Sequence, residues 1–200
     1  IEGLDTEVQE RIEQRLEEFS TYPDRQAKDW FSELCFCILT ANSKAKTAIA
    51  IQEELGASGF LELNFEELRD AIRRNKHRFH NNKAKYIIEA RKHEDIKTEL
   101  QQIPDNREKR EYLVANVKGI GYKESSHFLR NTGHFDLAIL DRHILNFMHE
   151  KGYIERPRTL DRKRYCEIEE EFLRLARRMG MSAAKLDFYM WYLKTGEVLK

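Results

Sequence analysis

A lysine and an aspartate stand at two predicted helix starts in the second half of the chain, where their side chains could act on an electrophilic carbon. Lys123 follows KGIGY in a predicted first turn, where the positive end of the helix dipole favours a free, nucleophilic amine. Asp141 follows LAIL and is predicted to cap the helix DRHILNFMH, whose N–H groups keep a carboxylate ionised. The two are candidate active-site partners, although alone they fit a surface lysine and a simple helix cap better.

The turn before this lysine contains Gly119, Ile120 and Gly121. Two glycines around one apolar residue let the backbone turn sharply and expose its N–H groups, with Ile120 tucked between the two helices. N–H groups beside a helix N-terminus suit a phosphate oxygen. A tight corner with no ligand is the commoner use of such a turn, so the turn alone predicts no function.

The elements that must position these residues are helices. Asp5 is a predicted N-cap, and Asn64 with Glu67 and Asp105 with Glu108 have capping-box spacing. Apolar periodicity predicts long helices over Leu160–Met179 and Ala183–Lys194, and no segment alternates like a strand. Glycines that follow apolar-periodic segments predict helix ends at Gly56, Gly133, Gly152 and Gly180. The sequence predicts an all-α protein.

Composition and charge describe a folded globular chain. Its 200 residues are 40% hydrophobic, which suffices for one domain or two small lobes with a core. Lys plus Arg and Asp plus Glu cancel at 35 each, so any attraction to a polyanion must come from a local patch. Residues 69–92 form a basic run and residues 1–20 an acidic one. Solvated helix faces explain each run equally well.

The cysteines and the hydropathy limit the compartment and the cofactors. Cys35 and Cys37 lie in the apolar WFSELCFCILT and are predicted to be core thiols in a reducing compartment, and Cys166 makes the number of cysteines odd. Three cysteines cannot supply the four ligands of an iron–sulfur cluster or a closed zinc site, and the histidine spacing predicts no metal site. No apolar run reaches the ~20 residues of a membrane span, and the acidic N-terminal stretch is unlike a signal peptide. We therefore expect a cytoplasmic protein with no membrane segment.

The stretch KGIGYK followed by LAILDRHI resembles the helix-hairpin-helix (HhH-GPD) DNA glycosylases, whose signature is a Gly-x-Gly hairpin, a lysine two residues later and an aspartate before the final helix. Within that superfamily the chain resembles the short, bifunctional 8-oxoguanine DNA glycosylase/AP lyases of archaea and some bacteria. The segments ILTANSKA, RFHNNKA and WYLKTGEVLK extend the resemblance over essentially the whole chain. One departure is Lys118, because many members have proline before the first hairpin glycine.

The resemblance implies a fold and a partner. It implies a single all-α glycosylase unit over 1–200 in two lobes, with the active-site cleft between them. The central lobe would span about 30–130 and include the hairpin at 117–123, and the second lobe would combine 1–29 with 131–200. The implied partner is double-stranded DNA that contains 8-oxoguanine, bound by a prokaryotic monomer.

The resemblance also implies the chemistry. Lys123 would attack C1′ of a flipped nucleotide, release 8-oxoguanine and form a Schiff base that leads to strand cleavage by β-elimination. Asp141 would stabilise positive charge on the sugar or assist proton transfers. Gly119, Ile120 and Gly121 would bind the DNA backbone through a monovalent cation, and no other cofactor is implied.

The damaged base would be read by further residues. The resemblance assigns Phe79 and Trp191 to the aromatic pair that sandwiches the flipped base, whereas composition alone would place Trp191 in the core. It assigns the α-carboxylate of Lys200 to the donor edge of guanine, although chain termini are more often frayed. Asn42 would enter the gap that the flipped base leaves; a helix-end turn residue is the equal alternative.

Two other functions fit parts of this pattern. A non-catalytic hairpin module that only binds DNA would need the glycines but neither Lys123 nor Asp141. A glycosylase for another damaged base would keep Asp141, and Lys123 argues against its monofunctional forms.

Overall fold

The computed structural model describes residues 5–200, and these residues form eleven α-helices and no strand. The all-α prediction is confirmed. The helices are α1 (Thr6–Ser20), α2 (Ala27–Thr40), α3 (Ala45–Glu62), α4 (Phe65–Arg74), α5 (His80–Ala90), α6 (Ile96–Gln101), α7 (Asn106–Asn116), α8 (Tyr122–Asn131), α9 (Arg142–Glu150), α10 (Arg162–Arg178) and α11 (Ala183–Thr195). Short 3-10 helices occupy Tyr22–Asp24 and Arg91–His93. None of these helices combines the length and the apolar character needed to cross a membrane.

The chain divides into two compact units. One contains Tyr22–Phe128, and the other contains Leu129–Lys200 with the described part of Ile1–Thr21. The first unit begins at Tyr22, and the resemblance implied a central lobe from about residue 30. The indole of Trp30 donates to the carbonyl of Tyr22 at 2.8 Å, and the hydroxyl of Tyr22 donates to Glu33 at 3.1 Å. These bonds attach the segment before α2 to α2 itself.

Helix α2 is the core of the unit Tyr22–Phe128. Every residue from Trp30 to Thr40 is buried, and α3, α5 and α6 contact the helix. A helix that is apolar on all sides is stable only when it is surrounded in this way. Cys35 and Cys37 are free thiols in this core, as predicted, and burial raises the pKa of Cys35.

Helix α11 is central to the other unit, where it contacts α1, α9 and α10. Its Asp187 accepts a hydrogen bond from Arg130 at 2.6 Å, and both side chains are buried. The guanidinium of Arg130 also lies 4.5 Å from the ring centroid of Phe188. A buried ion pair thus sits inside an aromatic core.

The predicted helix starts are confirmed, and the helix ends predicted at glycines agree with the backbone. Asp5, Asn64 and Asp105 each accept a hydrogen bond from a backbone N–H of the first turn that follows. At Gly56 the backbone has φ +58°, which is not helical, so α3 consists of two helical segments that join at a kink. The first segment ends at Gly56, as predicted, and Phe60 in the second segment is fully buried.

Candidate functional site

The hairpin between α7 and α8 is shaped by a close approach of two elements. Gly119 has φ +93°, a conformation that L side chains rarely adopt. A Cβ atom built at Gly119 would lie 2.4 Å from Cδ2 of Tyr86 in α5. Lys118 lies over the same ring, 5.7 Å from its centroid, and pairs with Glu89 at 3.3 Å. The first hairpin glycine is therefore required both by its φ and by the tyrosine against it.

The second half of the hairpin is held by a carboxylate. Ile120 is buried, as predicted. The N–H of Gly121 donates to Oε2 of Glu124 at 3.1 Å, which is one half of a capping box at the start of α8. This N–H was predicted to be available to a phosphate oxygen, and the protein's own carboxylate occupies it instead. The Gly-x-x-Glu spacing was the sequence signal for this contact.

Lys123 lies in the first turn of α8, as predicted. Its side chain is 27% exposed, and its Nζ lies 3.1 Å from Oε1 of Glu124. Glu124 therefore contacts both the hairpin backbone and the candidate nucleophile. The site holds a lysine amine in a fixed position, within reach of solvent and next to a proton acceptor.

A second lysine of the same unit is buried. Lys83 is 4% exposed, and its Nζ donates to the carbonyl oxygen of Ile38 at 2.6 Å. Burial lowers the pKa of Lys83 to about 8; the nearby charge of Glu124 raises this pKa and that of Lys123 lowers it. The basic run therefore does not form a uniformly solvated face. Lys83 belongs to the electrostatic surroundings of Lys123, which the sequence did not predict.

Asn42 lies in the turn that follows α2. Its side chain is exposed, and its backbone has φ +58°, a left-handed conformation that asparagine tolerates better than most residues. This position suits a turn residue at a helix end and also presents the side chain to a ligand. Both interpretations of Asn42 thus fit its geometry.

Phe79 is the N-cap residue of α5 and is half-buried. The guanidinium of Arg78 lies 4.9 Å from its ring centroid, which is a cation–π distance. The backbone N–H of Phe79 donates to Nδ1 of His77 at 3.1 Å. The ring is presented beside a cation at the start of a helix, and the sequence did not predict the part played by His77.

In the other unit Asp141 caps α9, as predicted. Its Oδ1 accepts a hydrogen bond from the N–H of Ile144 at 2.8 Å. The apolar segment before it is held by α10, because the N–H of Leu140 donates to the hydroxyl of Tyr165 at 3.3 Å and that of Ala138 donates to Glu169 at 3.0 Å. One backbone N–H thus holds the carboxylate of Asp141, and side chains of α10 hold the segment before it.

Trp191 in α11 is partly exposed, so it is not the fully buried core residue that composition alone favoured. The ring of His143 packs edge-on against it, with centroids 5.0 Å apart and planes at 78°. The indole N–H is shielded from solvent and has no hydrogen-bond acceptor within residues 5–200. The contact between His143 and this indole was not predicted from the sequence.

Lys200 is partly exposed and follows Val198, which is buried. The segment after α11 is thus attached to its unit at Val198. No group of three or more His, Cys, Asp or Glu side chains in residues 5–200 could hold a metal ion.

Comparison with known proteins shows similarity along nearly the whole chain. A family model described as 8-oxoguanine DNA glycosylase (Ogg-HhH) matches residues 12–181. The chain is 45% identical over 196 residues to the 8-oxoguanine DNA glycosylase/AP lyase of Methanocaldococcus jannaschii, which covers 98% of this chain and 94% of the relative. It is 43% identical over 204 residues to the protein of that name from Thermotoga maritima, which covers 100% and 97%.

Solved structures show the same similarity. The M. jannaschii glycosylase/lyase in complex with 15mer DNA containing 8-oxoguanine gives a TM-score of 0.94 at 45% identity, covering 98% of this chain and 94% of that one. The T. maritima 8-oxoguanine DNA glycosylase gives 0.91 at 44% identity, covering 97% and 93%. An endonuclease III–DNA covalent intermediate gives 0.58 at 17% identity, covering 93% and 86%, which is a likeness of fold alone.

Proposed function

The chain belongs to the 8-oxoguanine DNA glycosylase family, and on this basis we propose that it releases 8-oxoguanine from double-stranded DNA and cleaves the strand at the resulting abasic site. The observation that carries the proposal is Lys123. Its amine lies in the first turn of α8, directly after the hairpin, and is partly open to solvent. A glycosylase that also acts as a lyase needs an amine nucleophile of this kind.

In the proposed reaction Lys123 Nζ attacks C1′ of the flipped nucleotide. A bond forms between Nζ and C1′, and the bond from C1′ to the base nitrogen breaks, so the base leaves with the electron pair and takes up a proton. Opening of the sugar ring gives a Schiff base, and loss of a C2′ proton expels the 3′ phosphate. The amine must first separate from Glu124 or give its proton to that carboxylate, because an ammonium ion is not a nucleophile.

Asp141 is proposed to stabilise positive charge on the sugar or to assist the proton transfers. Its Oδ1 is engaged by the N–H of Ile144, so Oδ2 is the oxygen for this role. Because a backbone hydrogen bond already holds the Asp141 carboxylate, little reorganisation is needed when it acts. Such preorganisation favours electrostatic catalysis.

Phe79 and Trp191 are each proposed to offer a ring on which the damaged base can stack once it leaves the duplex. Both rings are partly exposed, which a stacking surface requires. Asn42 is proposed to enter the vacated position in the duplex, and Lys200 is proposed to contact the guanine edge of the damaged base.

The hairpin is proposed to bind the DNA backbone. Since Glu124 occupies the N–H of Gly121, the N–H groups of Gly119 and Ile120 remain as the phosphate donors of this turn. We further propose a monovalent cation there, bound by hairpin carbonyl oxygens. The relatives are archaeal and bacterial, and we propose that the protein acts on DNA in the cytoplasm of a prokaryotic cell.

Borohydride trapping tests this function. Duplexes with one 8-oxoguanine are incubated with the native protein, with Lys123→Gln and with the matched control Lys163→Gln, whose side chain is 89% exposed on α10. We expect a covalent adduct and base release from the native protein and the control, and neither from Lys123→Gln. No release by the native protein would overturn the proposal, and an adduct confined to preformed abasic sites would point to another lesion.

A further inference from the structure

Two side chains from the basic run (residues 69–92) hydrogen-bond to carbonyl groups at the C-terminus of α2. The last carbonyl groups of a helix lack partners within the helix and need donors from elsewhere. Lys83 donates to the carbonyl of Ile38, and Nε2 of His77 lies 2.9 Å from the carbonyl of Leu39. The exposed Asn42 turn follows at once, so these two bonds fix the point from which that turn leaves the helix.

The two hydrogen bonds of His77 define its tautomer. A carbonyl oxygen can only accept, so the Nε2 that contacts Leu39 carries the hydrogen. A backbone N–H can only donate, so the Nδ1 that contacts Phe79 carries none. The ring is 2% exposed, so bulk solvent does not compete for either contact. Both contacts need the neutral imidazole with its hydrogen on Nε2.

This ring joins two elements that the proposed function brings to DNA. One contact is with the carbonyl of Leu39 in the last turn of α2, shortly before Asn42. The other is with the backbone N–H of Phe79 at the start of α5. From this geometry we infer that His77 is a positioning residue. Its neutral imidazole holds the ring of Phe79, here called the Phe79 platform, at a defined position relative to the turn at Asn42. This inference rests on the proposed function for the roles of Phe79 and Asn42, but not for the tautomer.

Burial and two nearby charges disfavour protonation of the His77 ring. Burial lowers the pKa of His77, the bond to the Leu39 carbonyl raises it, and the charges of Lys83 and His80 lower it further. Protonation at Nδ1 would place two N–H groups against each other and break the contact with Phe79. At acidic pH the ring should therefore no longer hold the backbone of Phe79 relative to the turn at Asn42.

Two variants divide the contacts. The amide of His77→Asn reaches the position of Nδ1 and can keep the bond to Phe79, whereas that of His77→Gln reaches the position of Nε2 and can keep the bond to Leu39. If His77 acts by connecting Phe79 to the end of α2, both variants should lose this function, because each keeps only one of the two hydrogen bonds. His149→Asn is the matched control, since that histidine is exposed in the other unit.

The experiment compares single-turnover release of 8-oxoguanine with borohydride trapping at a preformed abasic site, after unfolding curves have shown that each variant is folded. A misplacement of about 1 Å costs up to roughly a hundredfold in rate, so we expect release to fall about tenfold or more in both His77 variants. Trapping, which needs no stacked base, should fall much less. Equal losses in both assays, or no loss in either, would overturn the inference.

Proton–nitrogen NMR of the native protein gives an independent readout. Cross-peaks typical of a neutral imidazole with its hydrogen on Nε2 are expected for His77 at neutral pH. A hydrogen on Nδ1, or a charged ring, would contradict the inference even if the variants lose activity. Failure of the native protein to release 8-oxoguanine would instead count against the proposed function.

Discussion

Lys83 Nζ donates a hydrogen bond to the carbonyl oxygen of Ile38, 2.6 Å away, although the two residues are 45 positions apart in the sequence. The bond brings a cation of the basic run into the interior, where it closes the end of α2. It also brings this cation within electrostatic reach of Lys123 and Glu124. A lysine at this position therefore affects both the stability of the unit and the charge around the candidate nucleophile.

Stability should depend on pH through Lys83. Its pKa falls from 10.5 to about 8 on folding, so the unfolded chain binds more protons between these values and the free energy of unfolding rises with pH in that window. The shift corresponds to an effect on the order of 3 kcal/mol. Urea unfolding of Lys83→Met from pH 7.5 to 10 should lack the rise that native protein shows. Lys85→Met, in the exposed part of α5, should keep this rise. If the native protein and both variants show the same dependence of stability on pH, Lys83 is not the group responsible.

Replacing Gly119 by alanine should destabilise the hairpin in two ways. Left-handed φ costs an L residue roughly 1–2 kcal/mol, and the new Cβ meets Tyr86 as well. Gly152→Ala is the control, because it has φ +74° and nothing within 4 Å of a Cβ. In denaturant unfolding Gly119→Ala should lose more stability than this control. Tyr86→Ala should lower the free energy of unfolding less in the Gly119→Ala background than in the native protein, because it also removes the clash. If the effects of the two substitutions simply add, residues 119 and 86 do not contact each other in this way.

Trp191 should matter for the base and much less for the abasic site. Loss of one stacking surface costs about 1–3 kcal/mol, which is roughly five- to 150-fold in rate. Trp191→Ala is expected to lower 8-oxoguanine release by this factor, and Trp191→Phe by less. Leu193→Ala, at an exposed position of the same helix, serves as the control. Unchanged release by Trp191→Ala would remove Trp191 from the site.

The Arg130–Asp187 pair should be a large determinant of stability in its unit. Removing one partner leaves a buried charge, which costs about 3–5 kcal/mol. Asp187→Ala is therefore expected to shift the unfolding midpoint strongly, and the double replacement Arg130→Met with Asp187→Leu should recover much of the loss. The exposed pair Arg174–Glu171 is the comparison, and Glu171→Gln should change stability little. A small effect of Asp187→Ala would show that the buried pair is dispensable.

Local features of this fold follow from the sequence because they depend on neighbours along the chain. A cap such as Asp141 binds an N–H three residues ahead, and the start of α8 at Tyr122 follows from the glycines before it. The break in α3 at Gly56 is also local, because glycine adopts φ +58° without the strain that an L side chain would bring.

The sequence by itself determined the all-α class, the helix starts, the family and the hairpin with its lysine, because each is encoded in short segments or motifs. Only the tertiary structure decided which donors satisfy the end of α2, namely Lys83 and His77, and which side chain faces Gly119. A free carbonyl at a helix end accepts from any donor that packing brings near. Its partner is therefore set by the arrangement of helices distant in sequence, and no local pattern specifies it.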